Sequence, residues 1–173
     1  METNSEKCGP GRYKSLMRLF VARHGQTSWN VEMLAQGHSD IPLDERGRNQ
    51  AAQLAEALVG SGIPRIVSSD LSRAADTAKE IAATTGAHLT MDARLRERSL
   101  GDFEGRPFTE VQAYIRDEAA RLNIPLWEVR PPNGESVADV FERIHPVAEW
   151  LFNENEDTLI MGHGAVPHRS GRI

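Results

Sequence analysis

The sequence predicts an α/β fold, three-layer α/β/α, with a mostly parallel central sheet. Two observations carry that prediction. Short apolar runs of strand length alternate with stretches of ten or more residues whose apolar positions recur at helical spacing. The first of those runs, Leu-Phe-Val-Ala at 19–22, reads as a buried strand, as expected of a parallel sheet covered on both faces.

In chain order, residues 18–23 form the first strand candidate. Ala51, Leu54, Ala55 and Leu58 then share one helix face, and Asp44 is placed to cap that helix by accepting from first-turn amides. Gly60 and Gly62 end it, and "PRIVSSD" supplies a second strand. Asp70 reads as the next N-cap, ahead of Leu71, Ala74, Ala75, Ala78 and Ala82. A strand follows at His88–Met91, then a helical stripe of Phe108, Val111, Ile115, Ala119 and Leu122. "PPNGES" is a turn, and Ser136 with Asp139 forms a capping box. That box opens a helix carrying Val140, Phe141, Ile144, Val147 and Leu151, and "DTLIMGHG" is the last strand, running into His163.

At 173 residues, 39% hydrophobic and 26% charged, the chain suits one domain, with no internal repeat. The expected division is a flexible tail over 1–17, a domain over 18–166 and an atypical tail over 167–173. A net charge of −5 argues against nucleic acid or an anionic membrane as the main partner. No apolar run approaches the roughly 20 residues of a membrane span, and the polar start lacks the apolar centre of a secretion signal. The single cysteine, Cys8, lies in the tail, so an internal disulfide is excluded and a cytoplasmic setting is expected.

Three strand candidates end alike: at Arg23-His24-Gly25, at Ser68-Ser69-Asp70 with Arg73 just beyond, and at Gly162-His163-Gly164. Parallel sheets bind ligands beyond the carboxyl ends of their strands, so these ends can share a pocket. Two arginines and two histidines there suit a phosphate dianion, which the planar guanidinium grips in pairs of bonds. By spacing alone, Arg73 could equally sit on a solvated face and Glu97 in a surface charge cluster. His38, His88, His145 and His168 read as surface or satisfied histidines. Neither His24 nor His163 has a metal-ligand partner nearby in sequence, so no metal is expected.

In order and spacing over about residues 18–166, the chain resembles the histidine phosphatase superfamily, which includes the cofactor-dependent phosphoglycerate mutases and fructose-2,6-bisphosphatases. The matching segments are "RHGQTSWN", "QGHSDIPLDERGRNQA", "SSDLSRAADTA", "LRERSLGDFEG", "PNGES" and "GHG". The resemblance implies that His24 is the nucleophile, forming a phosphohistidine, and that Glu97 is the general acid. It implies that Arg23, Arg73 and His163 stabilise the transferring phosphoryl group, and that Asn30, Gln36 and Gly37 contact substrate. No metal or organic cofactor is implied, and the partner is a small phosphorylated metabolite.

The short stretch 106–132 and the His38-Ser39-Asp40 sequence, where the mutases tend to carry Trp-Asp, favour a phosphatase over a mutase. The acidic loop and "RPPNGES" look closest to the fructose-2,6-bisphosphatase and sugar-phosphatase branches. Family members continue past the second histidine with a helix and a strand. Here "AVPHRSGRI" shows no helical stripe and Pro167 interrupts one, so that helix and strand are expected to be missing and activity weakened. The contrasting expectation is a form that binds phosphorylated ligands without turnover.

Overall fold

The computed structural model of the chain describes residues 17–164. The expected tails, apart from Met17, and the missing helix and strand fall outside those residues. Four strands, β1 (Leu19–Arg23), β2 (Arg65–Ser68), β3 (His88–Met91) and β4 (Thr158–Gly162), make one sheet in the order β1-β4-β2-β3. Every pairing is parallel. The last strand is therefore threaded between the first two, with Arg23 opposite Gly162 and Ser68 opposite Met161. The ladder runs on past the strands: His24 N–H donates to Gly162 O at 3.2 Å and Ser69 N–H to Met161 O at 3.1 Å. The carboxyl ends of β1, β2 and β4 are thus level with one another.

Helices α2 (Glu45–Ala57) and α3 (Ser72–Thr85) cover one face, where Ile66, Leu159 and Met161 pack on Ala55, Ala74, Ala78 and Ile81. On the other face α5 (Val137–Glu154) lays Val147 and Leu151 over Val67, with Ile160 partly covered. The four-residue α1 (Ser28–Val31) and the long α4 (Phe108–Leu122) lie beyond the strand ends. There Ala35, Leu100 and Val111 form a small separate core.

Two expected caps hold and one does not. Asp44 accepts from Gly47 N–H at 2.7 Å, and Ser136 and Asp139 bond reciprocally. Asp70 instead pairs with the Arg96 guanidinium at 2.6 and 2.7 Å. The N-cap of α3 is Leu71, which offers no side-chain acceptor. Asp40, far back in the chain, accepts from Ser72 N–H at 2.7 Å and does the work of a cap. A charged pair with a remote arginine outcompetes a local amide for the Asp70 carboxylate.

Three apolar readings also change. Among the described residues β1 is an edge strand: Phe20 and Ala22 pack inward, whereas Leu19 and Val21 are 42% and 49% exposed because α5 lies over β2 and β4. Phe141 points to solvent. On α4 only Val111 and Ala119 are buried, while Phe108 and Leu122 are exposed.

The chain leaving β1 rests on the first turn of α2. A Cβ on Gly25 would lie 2.3 Å from Gly47 O, and one on Gly47 would lie 2.0 Å from Gln26 O. Both contacts are with backbone, which cannot swing aside. We predict that Gly47→Ala destabilises the fold by about 1–3 kcal/mol, the range for overpacking a tight contact. Thermal denaturation checks this, and the same variant should displace the loop after His24 and lower activity.

Candidate active site

Five of the expected residues meet at the carboxyl end of the sheet. Arg23 closes β1, His24 follows it, Arg73 stands in the first turn of α3, and His163 follows β4. Glu97 arrives from the loop after β3. Its Oε2 accepts from Gly164 N–H at 3.1 Å and its Oε1 from Arg98 N–H at 2.9 Å, so the acidic loop is tied to the end of β4. The His24 and His163 rings face each other with centroids 5.1 Å apart and planes tilted by 59°.

His24 is buried, and its Nδ1 lies 2.7 Å from Gly25 O. A carbonyl can only accept, so Nδ1 carries the proton and the Nε2 lone pair is left free. The Gly25 peptide is itself held, its N–H donating to Thr77 Oγ1 at 3.2 Å. Thr77 in turn donates to Arg73 O at 2.8 Å, linking the loop after β1 to the helix that carries the arginine.

Burial pushes the His24 imidazole down to about 4, with the Arg73 and Arg23 cations adding to the shift against the bond to Gly25. His163 is pushed lower still, by burial first and then by Arg73, His24 and Arg23. Both rings are therefore neutral at pH 7.

Arg73 is fully buried. Its Nη1 donates to Ser39 O at 2.9 Å and its Nη2 to Gly37 O at 2.8 Å. Its Nε has no hydrogen-bond partner among the described residues, nor has either ring nitrogen of His163. Buried donors without partners are costly unless a ligand satisfies them. The His163 ring stands 5.1 Å from that of His24, and an oxyanion bound at this end of the sheet could take up the Arg73 Nε–H and the one N–H of the neutral His163 ring.

Asn30, Gln36 and Gly37 line the same cavity of about 790 Å³. Asn30 Oδ1 is taken up by Thr27, whose N–H and Oγ it engages at 3.1 Å, while buried Gln36 Oε1 has no partner among the described residues. Trp29, Met33, Phe108, Val111 and Ile115 make an apolar wall, so the α4 stripe lines the cavity at Phe108 while Val111 and Ile115 both border it and pack in the small core with Ala35 and Leu100.

Sequence reasoning missed several residues that shape the site. Arg143 on α5 donates through Nη2 to Arg96 O and Glu97 O, each at 2.8 Å, and through Nε to Glu135. His38, read as an ordinary surface or satisfied histidine, donates from Nε2 to Glu97 O at 2.9 Å. Arg98, buried as a residue, lines the cavity, and its guanidinium makes no hydrogen bond to the described residues. Arg143 and His38 carry no local signal because they act across 46 and 59 residues of chain.

The profile of the histidine phosphatase superfamily (branch 1) matches residues 19–168. The chain belongs to that superfamily. A curated relative, GpmB of Salmonella arizonae, named a probable phosphoglycerate mutase, is 38% identical over 86% of this chain and 70% of its own. Among solved structures, mycobacterial hydrolase 1 superposes with a TM-score of 0.73 at 37% identity, covering 87% of this chain and 76% of its own. A mycobacterial glucosyl-3-phosphoglycerate phosphatase gives 0.72 at 36% identity over 86% and 74%.

The depressed imidazoles have a consequence for stability. Between pH 6.5 and about 4 the unfolded chain binds protons at residues 24 and 163 that the folded superfamily domain does not. Stability therefore rises with pH across that window and is lost on acidification. The expected slope approaches about 1.4 kcal/mol per pH unit for each imidazole. His24→Gln should lower the slope, as chemical denaturation at stepped pH would show; an unchanged slope would mean that residue 24 titrates normally.

Proposed function

We propose that this member of the superfamily is a phosphomonoester hydrolase working through a phosphohistidine at His24. One observation carries the proposal: a neutral imidazole whose Nδ1 is pinned to Gly25 O, leaving its Nε2 lone pair free in a site where the buried Arg73 Nε–H and the neighbouring His163 ring have no partners among the described residues. In the first step that lone pair bonds to phosphorus while the ester P–O bond breaks, and Glu97 gives its proton to the departing oxygen. In the second step Glu97 takes a proton from water as the water oxygen bonds to phosphorus. The P–N bond breaks and inorganic phosphate leaves. Arg23, Arg73 and His163 meet the charge on the phosphoryl oxygens, while Asn30, Gln36 and Gly37 contact the substrate.

The expected substrates are small phosphorylated metabolites, with sugar phosphates such as fructose bisphosphates first among them. The cavity is far larger than a phosphate group, and the wall of Trp29, Met33, Phe108 and Ile115 suits a leaving group with an apolar ring face. Two solved neighbours support hydrolysis by name, the mycobacterial hydrolase and the glucosyl-3-phosphoglycerate phosphatase. The likeness to GpmB supports a second reading, transfer between two hydroxyls of phosphoglycerate. Our reading places the protein in the cytoplasm, which suits a chain with one cysteine. No helix among the described residues is long and apolar enough to cross a membrane.

Phosphate release from a chromogenic phosphate ester and from a panel of sugar phosphates tests the proposal. Wild type should release phosphate steadily, and His24→Ala should lose at least about 10³-fold in kcat, as nucleophile removal does elsewhere. Equal release by both proteins would refute the role of His24. Bisphosphoglycerate-dependent interconversion of phosphoglycerates with little net release would favour the mutase reading.

A further inference from the structure

Residues 37–39 are gripped from both sides. From the protein interior Arg73 takes two carbonyls, Gly37 O and Ser39 O. From the other side Glu104 takes the amides: its Oε1 accepts from His38 N–H at 2.8 Å and its Oε2 from Ser39 N–H at 2.7 Å. Ser39 Oγ–H adds a third bond to Oε2 at 2.6 Å, and Leu100 N–H reaches Oε1 at 3.1 Å. Burial pushes the Glu104 carboxyl up, but these bonds outweigh it and hold the group below the usual range, so it is ionised at pH 7. The fit is close. Gly37 has φ +53°, and a Cβ there would lie 2.1 Å from Glu104 Oε1. The ring of His38, within the same loop, reaches Glu97 O.

We propose that Glu104 is a positioning residue for phosphoryl transfer, acting through the 37–39 loop on the Arg73 guanidinium. The inference rests on Arg73 binding the phosphoryl group, as in the function proposed above. Arg73 directs its Nη atoms at the loop and leaves Nε without a partner among the described residues. Where the loop sits therefore fixes where Nε–H points. Only a carboxylate can accept from donors on both of its oxygens; a carboxamide has one acceptor oxygen and an NH₂. In Glu104→Gln the NH₂ must face an N–H, best at Ser39, whose hydroxyl can turn to accept while its amide cannot. Ser39 O then loses its registration and Arg73 follows.

Binding of inorganic phosphate, measured by calorimetry without turnover, tests this on wild type, Glu104→Gln, Arg73→Lys and the double variant. Glu104→Gln should weaken phosphate binding about 10-fold, since misplacing a catalytic contact by an ångström costs up to about 100-fold. In the Arg73→Lys background, which lacks the paired grip on the loop, Glu104→Gln should cost less than about 2-fold. Equal losses in both backgrounds, or no loss in either, would overturn the proposal. Should Glu104→Gln fail to fold, Ser39→Ala removes one bond and keeps the carboxylate. It should weaken phosphate binding about 3-fold on wild type and not at all on Arg73→Lys, and any other pattern overturns the proposal. Wild type that binds no phosphate would overturn both this inference and the function beneath it, whereas unaltered binding in the variants would overturn this one alone.

Discussion

The site depends on keeping two imidazoles uncharged among guanidinium groups. A protonated His24 would have no lone pair to offer phosphorus. Burial supplies most of the restraint, and the nearby cations Arg23 and Arg73 supply more. One hydrogen bond then decides which nitrogen is available: Gly25 O claims Nδ1–H, and Nε2 faces the cavity chemistry. The same cations that help keep the His24 imidazole neutral are suited to receive the charge of a phosphoryl group, as the proposed function requires. Nucleophile activation and anion binding thus come from one electrostatic arrangement.

Topology makes that arrangement possible. Threading β4 between β1 and β2 sets three strand ends level, and each delivers its polar residues to the same end of the sheet. Around this cup, bracing comes from elements remote in sequence. Arg143 on α5 holds the backbone carbonyls of Arg96 and Glu97, and Glu104 and Arg73 hold opposite edges of the 37–39 loop. The Glu97 loop, the Arg73 guanidinium and the loop after His24 are each fixed by at least one contact that crosses the chain. Rigid support of this kind is what a reaction sensitive to sub-ångström placement requires.

Much of this was legible in the sequence, for identifiable reasons. The Asp44 cap and the Ser136–Asp139 box are local and appear as read, and the helices form where the stripes place them, although Phe108, Leu122 and Phe141 turn out exposed. Arg23, His24, Arg73 and His163 could be placed together because strand ends in a parallel sheet converge by rule. Interactions that jump the chain were not legible. Asp70 looked like a cap until Arg96, 26 residues on, claimed its carboxylate, leaving Asp40 to serve α3. Phe108 looked like core because an apolar helix face lines a cavity as readily as it fills an interior. Leu19 and Val21 looked buried because no local signal says which strand will be at the edge. Glu104 stood in a recognisable segment, yet its five donors come from residues 38, 39, 99 and 100, a set that only the folded backbone assembles.

The most direct test of the central claim is imidazole ¹⁵N NMR of the free protein across pH 3.5 to 8. Our account predicts that His24 is neutral at pH 7 with its proton on Nδ1, and that it gains a second proton only near pH 4. A ring already cationic at neutral pH, or one protonated on Nε2, would contradict it.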